Sequence, residues 1–403
     1  MSTPFQGLTV LEYAGFIAGP YCTRVLADLG ARVVKVEQPG GGDPARGHGP
    51  FPGDMPDRER SGLFLFLGAN KKSITLDLTL PTGRDLFLRL AAEADVLVED
   101  TRPGVMADLG LDYGALSEIN PRLIYVSITP YGQDGPNSQW SAYPINSFHA
   151  SGEGYTLPGG LSHAMFPERG PTTAGNHLGE YDAGLLAASA CVAALFAREM
   201  GGSGQHLDIS KQEAIFALNR LTNAQAMGRG HKVDRSRGYE YGGIYQCSDG
   251  YVIIYPREDH QWQALAGIMG QPELGGDPRF RTRPDRMRHG DEINAIIRAW
   301  AADLTKEEIY YRVAPSGCPT APFSTPEDLF RSPQLKERRF FEEIDHPKAG
   351  PLQYPTRAYR FSGLSESPTQ PAPLLGQHNE EILCGELGLP QEELAELRRS
   401  GVI

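Results

Sequence analysis

Cysteine is sparse and unpatterned in this chain. Five are spread over 403 residues, at positions 22, 191, 247, 318 and 384, an odd number without a CxxC pair. Neither a disulfide framework nor a zinc site is expected from such spacing. Positive charge is also short: 38 Lys and Arg face 50 Asp and Glu, for a net charge of -12. A general attraction to nucleic acid or to an anionic membrane is excluded on that balance, and an anionic ligand needs a local cationic pocket. The most apolar run, Ala183 to Ala197, has 15 residues, about 22 Å as a helix. That falls short of a hydrocarbon core of roughly 30 Å, so a buried helix is expected. The opening Met1-Ser-Thr-Pro-Phe-Gln-Gly7 has no basic stretch followed by an apolar one, and a cytoplasmic protein is the expectation. GxxxxGK[ST], GxSxG and HExxH are missing, and Gly15-Phe-Ile-Ala-Gly19 has the wrong spacing for a dinucleotide fingerprint.

What the chain does have is glycine (47), proline (32) and an alternation of strand and helix signals. Over the first 130 residues these signals predict strands at 8–12, 32–37, 74–78, 95–99 and 123–128, with helices between them. The crossovers imply an α/β fold with a Rossmann-like parallel sheet. The segment from Pro39 to Gly62 reads as a long loop. The strongest helical pattern runs from about Glu180 to Met200, followed by a strand at 206–209 and a helix from Lys211 to about Met227. Beyond Arg229 the texture changes. A smaller α+β domain is expected at 230–325, between a first large-domain part at 1–229 and a returning part at 326–403.

Read residue by residue, the chemistry stays open. Gly179-Glu180-Tyr181-Asp182 at a helix start is also what dipole complementarity alone would place there. Asn70-Lys71-Lys72 reads equally as a solvated turn, and Arg102-Pro103-Gly104 as a loop corner. Taken together, however, the segments resemble the class III CoA-transferase family along nearly the whole chain. The resemblance is carried by Leu11-Glu-Tyr-Ala-Gly-Phe-Ile-Ala-Gly-Pro20, Leu26 to Glu37, Gly42-Asp-Pro44, Asn70 to Leu78, and Ala94 to Glu99 with Arg102-Pro-Gly104. It continues through Asn120 to Tyr125, Tyr131 to Pro136, Ala193-Ala-Leu195, Gly202-Ser-Gly-Gln205, Asp249 to Val252, Asp277 to Phe280 and Leu375-Gly-Gln-His378.

The resemblance implies transfer of coenzyme A from an acyl-CoA to a free carboxylic acid, with CoA thioester as substrate and neither a metal nor a tightly bound cofactor. The family's nucleophile is an aspartate four residues before a glycine. Counting back from Gly184 lands on Glu180, a departure from Asp, and Asp182 is the alternative. A carboxylate there attacks the thioester, forms a mixed anhydride, and is then converted by the CoA thiolate to an enzyme-CoA thioester. Gly184 is expected to lie beneath Glu180, where a side chain would crowd the acyl group. The family's nucleotide-binding segments fall on Ile17, Ala18, Gln38, Ala69, Asn70, Lys71, Lys72, Asp100, Thr101 and Arg102, of which Lys71, Lys72 and Arg102 are the expected phosphate partners. Gly242 and Gly243 fall where the family has a glycine loop over the site, a candidate oxyanion or substrate loop. An interlocked homodimer is implied as well.

Two other functions remain. α-Methylacyl-CoA racemases are similar over the same segments, but their catalytic histidine position reads Tyr143 here, and a phenol is a poor base at neutral pH. His149 lies nearby in sequence. A non-catalytic acyl-CoA-binding protein that kept the fold is the other alternative.

Overall fold

A computed structural model describes residues 3–218, 226–228, 235, 241–363 and 368–403. The chain divides into two compact units. The first comprises Met1–Glu153, Thr173–Arg220 and Lys336–Ile403, and the second Gly154–Thr172 and Leu221–Leu335.

In the first unit, β1 (Thr9–Tyr13), β2 (Arg32–Glu37), β3 (Lys71–Thr75), β4 (Val96–Glu99), β5 (Ile124–Thr129) and β6 (Gln205–Ser210) form one sheet in the order 3-2-1-4-5-6. Every pairing is parallel. Valine and isoleucine drive it by filling both faces. In one row Val33, Val10, Val96 and Ile124 stand side by side. They pack with Leu26, Ala187 and Cys191 from the helices Ala18–Asp28 and Leu178–Glu199. The next residue of each strand, Val34, Leu11, Leu97 or Tyr125, points the other way because strand side chains alternate. On that face lie Leu86 and Phe87 of the helix Pro81–Ala92 and, from far along the chain, Leu383, Leu394 and Leu397. The C-terminal segment is therefore part of this core. It reaches it through an antiparallel hairpin of β10 (Phe341–His346) and β11 (Gly350–Pro355), where the sequence reads only as extended and proline-punctuated.

The Leu178–Glu199 helix has 22 residues and lies within two residues, at either end, of the span predicted from its pattern. By length and composition it is long enough to cross a membrane. Ala183, Ala187, Ala188, Cys191, Ala194 and Leu195 pack it into the first unit, while Phe196 is 68% exposed and Leu185, Val192 and Met200 also show large exposed surfaces. Gly184 lies one turn beyond Glu180 on this helix, and the space it leaves is filled by another helix. A Cβ there would come within 2.5 Å of the Ala18 carbonyl oxygen and 3.2 Å of Tyr21 Cβ. The glycine thus lets the helices Ala18–Asp28 and Leu178–Glu199 touch.

β3 begins three residues earlier than the hydrophobic pattern predicts, because its first two residues are lysines. The helix after β6 is described over Lys211–Leu218; the remainder of the predicted helix lies outside the described residues.

The second unit holds an antiparallel sheet of β7 (Gly243–Cys247), β8 (Gly250–Ile254) and β9 (Thr320–Pro322). The helices Asp259–Ile268, Gly290–Ala301 and Lys306–Val313 cover it, sharing a core of Val252, Trp262, Phe280, Ile293, Ile297 and Ile309.

Candidate active site

In a parallel sheet ordered 3-2-1-4-5-6 the strand order reverses between β1 and β4, which leaves a crevice beyond their carboxyl ends. Residues leaving those two ends meet there. The Gly15 N–H, just after β1, donates to both oxygens of Asp100, just after β4, at 3.0 and 3.1 Å. Gly19, one turn on, has no room for a side chain: a Cβ would stand 2.3 Å from Ala14 Cβ and 3.3 Å from Asp100 Oδ2. Between them Phe16 takes a left-handed backbone, φ 64°, a conformation costly for a bulky residue. Its N–H donates to Asp43 Oδ1 at 2.9 Å, and its ring lies edge-on between His48 and His177, with centroids at 4.8 and 5.1 Å.

The cavity that opens here has a volume of about 770 Å³, in the range of small-molecule sites, and all of its lining belongs to the first unit. Phe16, Tyr143, Ile145, Phe148 and Leu178 give it an apolar wall; Asp100, Glu180, His48, His177 and Lys211 supply its ionisable groups.

Glu180 enters from the first turn of the Leu178–Glu199 helix. Asn176 and His177, both left-handed at φ 57°, turn the chain into that helix, and no side chain caps it. The partial positive charge of the helix start favours an anionic carboxylate at this point. Glu180 is only 3% exposed, yet its edge forms part of the cavity lining, and its Oε2 is 2.6 Å from Lys211 Nζ. Lys211 itself is the residue immediately after β6, at the same end of the sheet. Asp182, the alternative nucleophile, is half-buried and is not part of the cavity lining. Burial raises its carboxyl above the ordinary aspartate range, and its charge in turn adds to the burial that raises Glu153.

Asp100 is the most perturbed acid in the cavity wall. Burial pushes its carboxyl up to about 7, against the pull of Lys211 and of the Gly15 N–H, with Glu99 and Asp43 adding repulsion.

The other predicted ligand contacts are placed unevenly. Lys71 corrects the expectation made for it. It points into the first unit, with Nζ bonded to Glu12 Oε2 at 2.9 Å, Thr23 Oγ1 at 2.8 Å and the Pro20 carbonyl at 2.7 Å. An ammonium with three enclosed acceptors is not on offer to a phosphate. Glu12 also holds Lys35 at 2.7 Å. Burial works to raise Glu12, but the two lysines prevail and lower it to about 2. Lys72, the next residue, points outward and is ion-paired with Glu381. Asn70 is occupied on both sides, its amide donating to Asp28 at 2.7 Å and its oxygen accepting the Gln370 N–H at 2.7 Å. Ile17, Ala18 and Ala69 are buried, and Gln38 is exposed.

Thr101 donates both its N–H and its hydroxyl to Glu99 at 2.7 Å. Arg102 is exposed and lines a second hollow of about 270 Å³ with Glu99, Tyr113 and His206. Tyr143 stands at the mouth of the main cavity, 77% exposed. His149, by contrast, is outside its lining and pairs with Thr173 Oγ1 at 2.6 Å. Gly242 and Gly243 belong to the second unit, where the Gly242 N–H donates to Asn294 Oδ1 at 2.9 Å and Gly243 opens β7. Tyr239 and Glu240 of that loop lie outside the described residues.

Lys211, Phe16, His48 and His177 were not among the predicted site residues, and Asp100 was expected only as a nucleotide contact. The signal for Lys211 was its place directly after a parallel strand, at the end where such sheets bind ligands.

Known proteins resemble this chain along nearly its whole length. CoA-transferase family III matches residues 5–379. The chain is 33% identical over 407 residues to a succinyl-CoA–D-citramalate CoA-transferase of Chloroflexus aurantiacus, covering 99% of this chain and 98% of that one. It is 32% identical over 423 residues to a formyl-CoA:oxalate CoA-transferase of Streptomyces coelicolor, covering 99% and 98%. A CaiB/BaiF family protein from Brucella suis has a crystal structure that superposes with a TM-score of 0.84 at 31% identity, over 96% of this chain and 100% of that one.

Proposed function

The chain belongs to CoA-transferase family III, and from that premise we propose that Glu180 is its nucleophile. As a class III CoA-transferase it moves CoA between acyl-CoA and carboxylic acids. The observation that carries the assignment is that Glu180, and not Asp182, borders the cavity at the β1/β4 reversal point.

The carboxylate of Glu180 attacks the thioester carbonyl; a C–O bond forms, the C–S bond breaks, and CoA leaves as thiolate. The thiolate then attacks the Glu180 carbonyl of the mixed anhydride, releasing the donor acid as its carboxylate and leaving a glutamyl-CoA thioester. An acceptor carboxylate reverses the two steps. No proton changes hands, so the site needs charge placement more than a general base. The ion pair with Lys211 and the turn into the helix hold the Glu180 carboxylate at the edge of the cavity, where the first attack takes place. The extra methylene relative to aspartate advances the carboxylate by about one carbon–carbon bond, 1.5 Å.

For the nucleotide of CoA we retain Arg102, which is exposed beside its own hollow. We also infer a homodimer. The exposed Leu185, Val192, Phe196 and Met200 give the long helix an apolar surface of the kind a second copy covers.

The test is chemical. Glu180→Gln should abolish turnover with the fold intact, whereas Asp182→Asn should keep most of it. Hydroxylamine trapping during exposure to acyl-CoA should modify the peptide carrying Glu180. A label on Asp182 would refute the assignment.

A further inference from the structure

Among the described residues that line the cavity, Lys211 is the one lysine or arginine. In the resting enzyme its charge is taken by Glu180, at 2.6 Å, and both side chains are largely withdrawn from water. Chemistry at Glu180 removes that partner. As an anhydride or as a CoA thioester the glutamyl group is neutral, yet the ammonium stays where β6 and the following helix hold it. A secluded cation left without its counter-ion is strongly unfavourable. Asp100 is a poor replacement, because both of its oxygens already accept the Gly15 N–H and burial works against its ionised form. The wall around it is otherwise largely apolar, with Phe16, Ile145, Phe148 and Leu178. A small carboxylate entering the cavity is the species that restores the charge balance.

We propose that Lys211 exchanges partners during turnover: it holds Glu180 in the resting enzyme and binds the carboxylate of the free acid whenever Glu180 is acylated. The inference rests on Glu180 being the nucleophile. One ammonium then serves both half-reactions. It takes the donor acid's carboxylate as that is expelled from the anhydride, releases it to water, and takes the acceptor's carboxylate beside the glutamyl carbonyl it is about to attack. When the thiolate reclaims the acceptor's acyl group, Glu180 becomes an anion again and displaces nothing but an empty position. The exchange makes acid binding conditional. A free acid meets an occupied lysine in the resting enzyme and an available one only in the glutamyl-CoA enzyme, so acids should be weak competitors of acyl-CoA for the resting state.

The experiment separates the two half-reactions in the full-length enzyme, using Lys211→Met and Lys211→Arg. Trapping reads whether the Glu180 carboxylate still attacks acyl-CoA once its partner is gone. The expected result is that hydroxylamine still labels Glu180 in Lys211→Met exposed to acyl-CoA. The Michaelis constant for the acid consumed by the isolated glutamyl-CoA enzyme should rise about tenfold or more, the loss typical of a charge-assisted contact. Lys211→Arg should recover most of it. Labelling with an unchanged acid Michaelis constant overturns the inference and leaves Glu180 as the nucleophile. Failure of folded Lys211→Met to label, with wild type labelling normally, also overturns it by confining Lys211 to Glu180. Absence of label at Glu180 in wild type removes the nucleophile and this inference together.

Discussion

The ammonium of Lys71 lies 2.9 Å from the Glu12 carboxylate, and neither side chain is open to solvent. Lys35 reaches the other oxygen of the same carboxylate and bridges on to Asp43 at 2.6 Å. Asp43 accepts the N–H of Phe16. A line of buried charge thus runs from β3 to the backbone of the cavity wall, and the lysine expected to grip a phosphate is one of its anchors.

Replacing Lys71 with methionine should therefore act on the fold. Removing one member of a buried ion pair costs roughly 3 to 5 kcal/mol, and the lower end applies because Glu12 keeps Lys35 and Thr23. Urea denaturation should show that loss, while the Michaelis constant for acyl-CoA stays near wild type.

Arg102 and Lys72 should differ from Lys71 and from each other. Arg102→Ala should raise the acyl-CoA Michaelis constant about tenfold, the worth of a charge-assisted contact, and leave that of the acid alone. Lys72→Ala gives up a partly exposed pair with Glu381, worth at most about 1 kcal/mol, and should change little in either constant. Initial-rate kinetics over both substrates decide it.

Gly184→Ala should destabilise by about 1 to 3 kcal/mol, because a methyl 2.5 Å from the Ala18 carbonyl forces the two helices apart. Thermal melting measures it. A mutant of wild-type stability that specifically excluded bulky acyl groups would restore the view that this glycine makes room for substrate.

Asp100 gives the stability a pH dependence with a definite sign. Its folded value of about 7 lies above the ordinary 3.8, so between these pH values the folded chain holds a proton that the unfolded chain has shed. The stability associated with that proton is complete below about 4 and is lost as pH rises through 7. Asp100→Asn should flatten this part of a melting-temperature profile from acid to neutral pH.

The central strands were legible because their valines and isoleucines fill two hydrophobic faces, a pattern that needs no knowledge of partners. β3 was misplaced because a lysine reads as solvent-facing unless its counter-ion is known, and Glu12 is 59 positions away. Glu180 was singled out by the family's spacing to Gly184, but the close approach of Gly184 to Ala18 on another helix could not be read from the sequence. Lys211 escaped notice for the same reason as Lys71, since its partner lies 31 residues upstream. The β10–β11 hairpin was hidden by its prolines, Pro351 and Pro355, which usually argue against a strand.

β3 is an edge strand, and what covers it comes from 305 positions downstream: the Ser73 N–H donates to His378 Nδ1 at 3.1 Å, and the Thr75 N–H to Asn379 Oδ1 at 2.8 Å. On the ribosome, the whole of the second unit is made before that cover exists. The second unit can reach its final shape while the first is still an unfinished sheet with a bare, pairing-competent margin. Completion of the first unit is thus deferred until synthesis has passed residue 379, and until then the margin of β3 stands open to pairing.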